Sequence, residues 1–403
     1  MGLLLVLVAN ILVAAAACRD ATDCSINGVC GPAERSCVCD PGWEGRNCSV
    51  LHLAAAPTKA RQAYMVNTSS WGGNVIKDPV TGAYHLFFSE MRTSGLHSYS
   101  SPGHCQLTTA VSLTSPTGPF NRNRTVLRSS AVDGPFQGRI THNVQPQMGP
   151  DGAVYIFMIT SPPPPTPDPE RKPTKAPKKL TVLVGRAPRL GAPFEFVEPR
   201  LLQQNGSAIL KDNPTAIIYG NGSVLMVTRG TALFKAASWR GPYHMANPSI
   251  LGCEYADPSL GGCREEDPFI WQSPRGFHLL FHNHEPFAFH KQVLAYAFTT
   301  DPSAVNGWVF SYVQAGNGTN IAFDDGTAHT FCSRQRPQIY FSEVAGADGV
   351  QRGRPLVLFT GAQHGFNTDN TSLCGAAAGI RDPVELGNNP YDDYSFTFAQ
   401  PFR

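Results

Sequence analysis

A short unit that recurs along the chain constrains its fold more than any other feature. Each copy is a glycine-containing turn followed at once by a run rich in Val, Ile, Leu and Phe. The copies read TGAYHLFFSE from 81, DGAVYIFMIT from 151, NGSVLMVTRG from 221, RGFHLLFHNH from 275 and RGRPLVLFTG from 352. A turn of this kind that feeds a β-rich run is typical of a β-hairpin.

A second motif follows each of the first four copies at a similar distance. It reads AVSLTSPTGPF, VGRAPRLGAPF, FKAASWRGPY and AYAFTTDPSAVNGW. Two motifs that repeat in the same order, roughly 55 to 80 residues apart, predict the blades of a β-propeller. With no long helical period in this region, we expect an all-β, five-bladed β-propeller over residues 64–403. Its last run, YSFTFAQPF from 394, would close the ring and remove an exposed sheet edge.

A cysteine-rich segment precedes the propeller. Six of the 11 cysteines fall within Cys18–Cys48, a segment too short to form a core, so we expect disulfide bonds to hold it together. Its ending, CVCDPGWEGRNC, resembles an EGF-like domain. The resemblance implies the disulfides Cys18–Cys30, Cys24–Cys37 and Cys39–Cys48. We expect an EGF-like module at 18–48 that serves as a spacer or a protein-contact surface, and a linker at 49–63.

The remaining cysteines cannot all pair. Cys253 and Cys263 bracket a short Gly-rich loop and are the best candidate pair. A bond between Cys332 and Cys374 is a hypothesis without a spacing argument. Cys105 is then left over, and we interpret it as a buried thiol rather than a nucleophile.

The N-terminal residues 1–17 form a short apolar run that ends in alanines, which predicts a signal peptide. A basic start is missing, so a retained anchor is the alternative; we expect no membrane span in the mature chain. Seven N-x-S/T sequons agree with a secreted or cell-surface glycoprotein: Asn47, Asn67, Asn123, Asn205, Asn221, Asn317 and Asn370. A net charge of +2 gives no sign of nucleic-acid binding.

Residues 161–179 interrupt the repeats with a proline-rich, basic tract. Such a tract cannot form a central strand. It is either a solvent-exposed loop or a binding tail for an acidic wall polymer.

A polar stretch comes before each glycine turn, in otherwise apolar repeats. The stretches are SSWGGN from 69, THNVQP from 141, KDNPTA from 211, REEDPF from 264 and SRQRPQ from 333. Because the inner strands of a propeller converge on one axis, these residues are predicted to line an axial pocket. With their N-P and E-x-P dipeptides, the five repeats resemble the propeller glycosidases of glycoside hydrolase family 43.

The resemblance implies three carboxylates on three blades: a base, a pKa-tuning aspartate and a glutamate acid in an E-x-P setting. Glu266 fits the acid, since adjacent charge and partial burial both raise a carboxyl pKa. On the middle blade, Asp212 stands one residue before Asn213, and strand alternation would turn it away unless the backbone is irregular there. On the first blade the expected aspartate falls at Gly73 or Asn74, and neither can act as a base.

Two functions therefore stay open. Either Asp212 or Asp267 serves as the base of a glycoside hydrolase that acts on a glycan, or the pocket binds carbohydrate without cutting it, as in a cell-surface adhesion protein. The sugar, the linkage and the stereochemistry do not follow from these residues.

Other polar and aromatic residues at the same stretches are candidates for substrate binding. Aromatic rings could stack on sugars, and the arginines could pair with a carboxylate of the substrate or of the protein. The candidates are Trp71, Asn74, His142, Asn143, Asn213, Arg334 and Arg336. His282, His284 and His290 lack a cysteine or carboxylate partner at clear spacing, so no metal or cofactor is expected. Some members of the family carry a central calcium ion, which the sequence neither supports nor excludes.

Overall fold

The computed structural model describes most of the chain. The described residues are 18–32, 35–58, 68–91, 96, 104–128, 139–161, 180–252, 256–257, 262–263, 265–283, 293–304, 306–311, 314–316, 318–331, 333–364 and 394–403. They form an almost entirely β structure, as predicted. The predicted signal peptide, nearly all of the proline-rich tract, Cys253, Cys332, Cys374 and the side chain of Cys263 lie outside them, so the second set of cysteine pairings stays a prediction. A helix that could span a lipid bilayer is absent from these residues.

The cysteine-rich segment folds as a small module with two hairpins. Its three disulfides join the cysteines in the order that the EGF resemblance implies. The strands are β1 (Gly28–Cys30), β2 (Cys37–Cys39), β3 (Trp43–Glu44) and β4 (Val50–Leu51).

Five sheets follow, antiparallel except for one strand pair, and they are the predicted blades. Blade I holds β5 (Ser69–Lys77), β6 (Tyr84–Met91), β7 (Cys105–Ser112) and β8 (Asn121–Arg128). Blade II holds β9 (Thr141–Met148), β10 (Val154–Thr160), β11 (Thr181–Ala187) and β12 (Glu195–Val197). Blade III holds β13 (Leu201–Leu202), β14 (Thr215–Ile218), β15 (Val224–Val227), β16 (Leu233–Ala236) and β17 (Tyr243–Asn247). In this blade β13 pairs with β17 in parallel.

The last two blades complete the ring. Blade IV holds β20 (Glu265–Ser273), β21 (Gly276–Asn283), β22 (Val293–Thr299) and β23 (Val309–Ser311), and blade V holds β26 (Ser333–Phe341), β27 (Pro355–His364) and β28 (Tyr394–Pro401). Two small hairpins lie outside the blades: β18 (Ala256–Asp257) with β19 (Gly262–Cys263), and β24 (Asn320–Ala322) with β25 (Ala328–Thr330). A 3-10 turn, Arg229–Thr231, joins β15 to β16. First strands of neighbouring blades contact one another, so they surround the axis.

Residues 53–56, which precede blade I in the chain, pair with the C-terminal strand β28 on one side. The backbone N–H of Ala54 donates to the Pro401 carbonyl (2.9 Å), and Leu53 forms a β-bridge with Phe402. On its other side the same segment bonds from the Ala56 N–H to the Ala322 carbonyl (2.9 Å). The first part of the predicted linker is therefore an ordered edge of blade V, and β28 is the ring-closing strand that the sequence predicts.

The EGF-like module packs against blade IV through an aromatic contact. The Trp43 ring lies 6.4 Å from the Trp271 ring and 4.9 Å from the Tyr296 ring, centroid to centroid. The Tyr296 hydroxyl, buried in this contact, donates to the Ser25 carbonyl of the module (2.9 Å). Burying three aromatic rings in one contact makes the module part of the propeller core rather than a detached spacer.

Truncating Trp43 should therefore destabilise the whole molecule. We expect Trp43→Ala to lower the free energy of unfolding by about 3–5 kcal/mol, because it leaves a cavity against Trp271 and Tyr296. Urea unfolding, followed by the fluorescence of the propeller tryptophans, measures this loss. The matched control is Val38→Ala on the exposed side of the same module, where 59% of the residue is accessible and the expected change is within about 0.5 kcal/mol. Equal effects of the two changes would contradict the packing role.

Candidate functional site

The inner strands of blades II to V each bend at one residue with a positive φ, which lies near the start of the strand or just before it. In blades II to V these residues are Asn143 (φ 62°), Asn213 (φ 51°), Asp267 (φ 57°) and Arg336 (φ 60°). In blades II, IV and V the strand pairing also shifts register at this residue. A bulge of this kind re-aims the side chains on either side of it. We call these four residues the axial ring.

The axial ring is joined by hydrogen bonds across the blades. Asn143 Nδ2 donates to Asn213 Oδ1 (2.8 Å), and Asn213 Nδ2 donates to Asp267 Oδ1 (3.1 Å). Arg336 Nη1 lies 2.7 Å from the same oxygen of Asp267, whose side chain is fully buried. A void of about 20 Å³ remains between its members. The sequence left two roles open for Arg336, pairing with a carboxylate of the substrate or with one of the protein. In the structure it pairs with Asp267, a carboxylate of the protein's own acidic stretch.

The equivalent position in blade I is Gly72, which corrects the expected alignment by one or two residues. Gly72 has a φ of 58°, and the pairing of β5 with β6 shifts register between Trp71 and Asn74. Its Cα faces the Arg336 side chain, which a Cβ would approach to 3.4 Å. Asn74, one of the two positions where the family resemblance placed the first-blade aspartate, instead donates through Nδ2 to the Ile339 carbonyl (3.1 Å) and so links blade I to blade V.

Two carboxylates lie one residue before the ring, on neighbouring blades. Glu266 Oε1 forms a close ion pair with Arg229 Nη2, and Asp212 Oδ2 lies 3.9 Å from Arg229 Nη1. Their side chains keep 17% and 19% of their surface accessible. The backbone is irregular here, as Asp212 requires, because Asn213 takes a left-handed conformation. Asp212 therefore reaches the same side of the axis as Glu266.

The electrostatic surroundings of these two carboxylates differ. Burial raises the pKa of Asp212 above its ordinary value, and the negative charge of Glu266 adds to this effect, while Arg229 opposes it. Burial also lowers the pKa of the neighbouring Lys211. Glu266 has the closer contact with the Arg229 guanidinium, which stabilises its ionised form.

His282 lies beside the carboxylates of Glu266 and Asp267. It is fully buried on β21 and pairs in register with Glu266 of β20. Its Nδ1 is 3.5 Å from Asp267 Oδ2 and 4.0 Å from Glu266 Oε2. Neither Arg229 nor His282 was assigned to the site from the sequence. Arg229 lies in a 3-10 turn after β15. Neither residue stands at a sequence distance from the acidic stretch that would have indicated a contact with it.

Three of the predicted substrate-binding residues point away from the axis. Trp71 is 1% exposed and packs on Gly361, and Arg334 is 1% exposed inside blade V. Arg334 donates to Thr360 Oγ1 (3.1 Å), and burial lowers its pKa to about 9. His142 is buried with Nδ1 3.3 Å from the sulfur of Cys105. Their burial in blade interiors does not agree with the expected contact to a sugar.

Cys105 itself is buried, as interpreted from the sequence. Its thiol donates to the Thr141 carbonyl (2.9 Å). Burial raises the pKa of this thiol, which opposes formation of the reactive thiolate.

A larger cavity opens on the other side of the axial ring. It has a volume of about 300 Å³. Its walls are the later parts of the inner strands, including Asn74–Lys77, Gln145–Met148, Ala216–Ile218 and Phe269–Gln272. The only carboxylate among its lining residues is Glu343. The paired carboxylates Asp212 and Glu266 are absent from this lining, so the chemistry that they could support belongs to the opposite side of the ring.

Comparison with known proteins agrees with both parts of the fold. Residues 21–51 match the family model of the teneurin-like EGF domain. Such a disulfide-bonded module is consistent with an extracellular location. No curated protein matches this sequence.

Solved structures resemble the chain over most of its length. A family 117 glycoside hydrolase from the marine bacterium Zobellia galactanivorans aligns with a TM-score of 0.50 and 11% identity, over 87% of this chain and 89% of that one. A thermostable family 43 glycoside hydrolase gives 0.45 and 10%, over 83% and 89%. A family 43 protein from Bacillus licheniformis gives 0.45 and 11%, over 83% and 53%. At this identity, the first likeness shows a shared glycosidase-like propeller fold.

The two glycines of blade I should respond very differently to substitution. Gly72→Asn should change the free energy of unfolding by no more than about 1 kcal/mol, because asparagine tolerates a positive φ and already occupies this position in blades II and III. Gly73→Ala should cost about 3 kcal/mol or more, because φ is 96° and the new Cβ would overlap the Phe87 carbonyl. Thermal unfolding of both variants tests the assignment of Gly72 to the ring. A loss of stability in Gly72→Asn as large as the loss in Gly73→Ala would refute this assignment.

The raised pKa of Asp212 predicts a specific pH dependence of stability. Because the folded state binds the Asp212 proton more tightly than the unfolded state, the protonated group stabilises the fold. This stabilisation is fully present below the unfolded-state pKa, about 3.9, and is lost as pH rises through the higher folded-state pKa. Relative to Asp212→Asn, the wild type should therefore lose stability as pH rises above about 4.

Urea unfolding at a series of pH values measures this difference. Asp78, in the turn after β5, is the control, because hydrogen bonds from Thr81 and Val80 lower its pKa. Relative to Asp78→Asn, the wild type should lose stability as pH falls, the opposite sign. Parallel pH curves for the wild type and Asp212→Asn would contradict the prediction.

Proposed function

We propose that the protein binds a glycan on the Asp212 side of the axial ring and hydrolyses a glycosidic bond there with Asp212 and Glu266. The observation that carries this proposal is the shared Arg229 guanidinium, which holds two partly accessible carboxylates from neighbouring blades at the axis. Glycosidic hydrolysis needs two such groups, one protonated and one ionised. The similar structures described above, which are glycoside hydrolases, support the same class of substrate.

The surroundings of the two carboxylates suggest how they divide the work. The resemblance to family 43 assigns the acid role to Glu266. The close contact with Arg229 opposes that role, since a cation stabilises the carboxylate form, whereas Asp212 has the raised pKa that a proton donor needs. We therefore assign proton donation to Asp212 and the base role to Glu266.

The reaction then follows in one sequence of proton transfers. Asp212 gives its proton to the leaving glycosidic oxygen as the bond to the anomeric carbon breaks. Glu266 takes a proton from the water that attacks this carbon. Asp212 is then ionised and Glu266 protonated, and proton exchange with solvent restores both groups to their starting states. Asp267 is outside this scheme, because its buried carboxylate is engaged by Arg336 and Asn213.

A second candidate function is carbohydrate binding without hydrolysis. Blade I presents glycine at its ring position, so it supplies no carboxylate where the family 43 resemblance places the base. This absence favours a lectin-like adhesion protein on a degenerate glycosidase propeller, with the EGF-like module as a contact surface.

An extracellular place for this function has independent support. The described sequon asparagines, Asn47, Asn123, Asn205 and Asn221, are all exposed, as attachment of a glycan requires. Together with the disulfide-bonded module, this supports a secreted or cell-surface glycoprotein.

A screen with aryl glycosides, run beside a glycan array, separates the two functions. We expect turnover by the wild type, and a loss of about 100-fold to 10,000-fold in kcat for Asp212→Asn and for Glu266→Gln. Glu343→Gln, at the opposite mouth of the axis, is the matched carboxylate control and should keep full activity. Array binding without turnover by the wild type would establish the binding function instead, and the absence of both would refute a carbohydrate substrate.

Leaving groups of different acidity identify the proton donor. A dinitrophenyl glycoside needs no protonation of its leaving group, so it should restore turnover in the variant that lacks the acid and not in the variant that lacks the base. We expect rescue of Asp212→Asn. Rescue of Glu266→Gln alone would return the acid role to Glu266.

A further inference from the structure

The cavity on the far side of the axial ring is a space that the proposed reaction does not use. Its volume is about 300 Å³, and a volume of this size with a mainly apolar lining is typical of a small-molecule pocket. The charged residues among its described lining are Lys77 and Glu343, and both are exposed, at the rim. The apolar walls come from the inner strands and include Val75, Met148, Ile218, Phe269 and Phe341.

Three of the amide side chains that line the cavity are engaged by the protein itself. Asn74 bonds to blade V, as described above. Gln147 Nε2 donates to the Ala216 carbonyl (3.1 Å), and Gln351 Nε2 donates to the Glu343 carbonyl (2.9 Å). These three amides hold the walls of the cavity together.

The amides of Gln145 and Gln272 differ from them. Gln145, on β9, is only 6% exposed and lines both the small void of the axial ring and the cavity, so it lies at the inner end of the cavity. Gln272, on β20, is held in place through its backbone carbonyl, which accepts from the Gln351 N–H (2.7 Å). In the part of the chain that the structure describes, the buried side-chain oxygen of each glutamine accepts no hydrogen bond.

We propose that the cavity binds a small, uncharged molecule with an apolar body and hydroxyl or N–H groups that donate to Gln145 and Gln272. A buried amide oxygen without a partner is costly, and a donor from the ligand removes that cost. The last torsion of a glutamine side chain is soft, so each amide can turn its oxygen toward the cavity. The apolar body displaces water that the apolar walls cannot bond.

The same lining disfavours two other classes of ligand. An ionised carboxylate or phosphate would lose its hydration against apolar walls, and Lys77, the cation among the described lining residues, lies at the rim. A sugar brings more hydroxyl groups than two amides can pair, which would leave buried donors without partners. The ligand of this cavity therefore differs from the glycan of the proposed function.

The test is a calorimetric titration of the full chain with a naphthalenediol that carries its two hydroxyl groups at opposite ends. We expect one molecule to bind to each chain. The matching dimethyl ether has the same rings and no donor, so it should bind at least about 10-fold more weakly. The matching dicarboxylate should not bind measurably, because it is ionised.

A glutamine variant tests the hydrogen bond separately from the shape of the cavity. Gln272→Leu replaces the amide with an apolar side chain of similar size. It should weaken binding of the diol by about 5-fold or more and leave the affinity for the dimethyl ether unchanged. Gln203→Leu, at a glutamine outside the cavity lining, is the matched control and should leave both affinities unchanged.

Two further variants locate the bound probe. Ala345→Trp adds a large ring at the cavity wall from a loop after β26, so it should abolish binding of both compounds and keep the native circular dichroism spectrum. Asp212→Asn, on the other side of the axial ring, should bind the diol as the wild type does.

Three results would overturn the proposal: no binding of the diol by the wild type, equal affinity for the diol and its dimethyl ether, or full binding by Ala345→Trp. Because no glycoside is used, a failed glycosidase screen leaves this test intact.

Discussion

The bend in each inner strand is the constraint on which the rest of the structure depends. A regular strand sends successive side chains to opposite faces, so a propeller of regular inner strands would present only alternate residues to its axis. The left-handed residue breaks that alternation. In blades III and IV it brings two consecutive side chains to the axis, Asp212 with Asn213 and Glu266 with Asp267. One member of each couple closes the ring, and the other remains accessible above it.

Most of the architecture followed from the sequence because it is encoded locally. A glycine turn and the apolar run after it specify one hairpin, and five such hairpins in series specify the blades. The disulfide pattern of the EGF-like module is equally local. The sequence showed less clearly how the module is attached, since the contact of Trp43 with Trp271 joins residues that are far apart in the chain.

The site was predicted in part, and each miss has a physical reason. Trp71 and Arg334 were candidates because they stand in the polar stretches, but both side chains are buried in blade interiors. The first-blade position was expected at Gly73 or Asn74, and the bulge between Trp71 and Asn74 places it at Gly72 instead. Arg229 approaches Glu266 from a turn of blade III and His282 from the neighbouring strand of blade IV, so only the folded structure reveals them. The polar stretches nevertheless marked the axis correctly.

The pairing of residues 53–56 with β28 has a consequence for how the molecule is made. These two segments are separated by nearly the whole propeller, and blade V has no finished edge until both are present. During synthesis the EGF-like module can form its disulfides early, yet its Trp43 face has no surface to cover it until blades IV and V have folded. The molecule therefore acquires its final stability late and cooperatively, when the last strand arrives and pairs with residues 53–56.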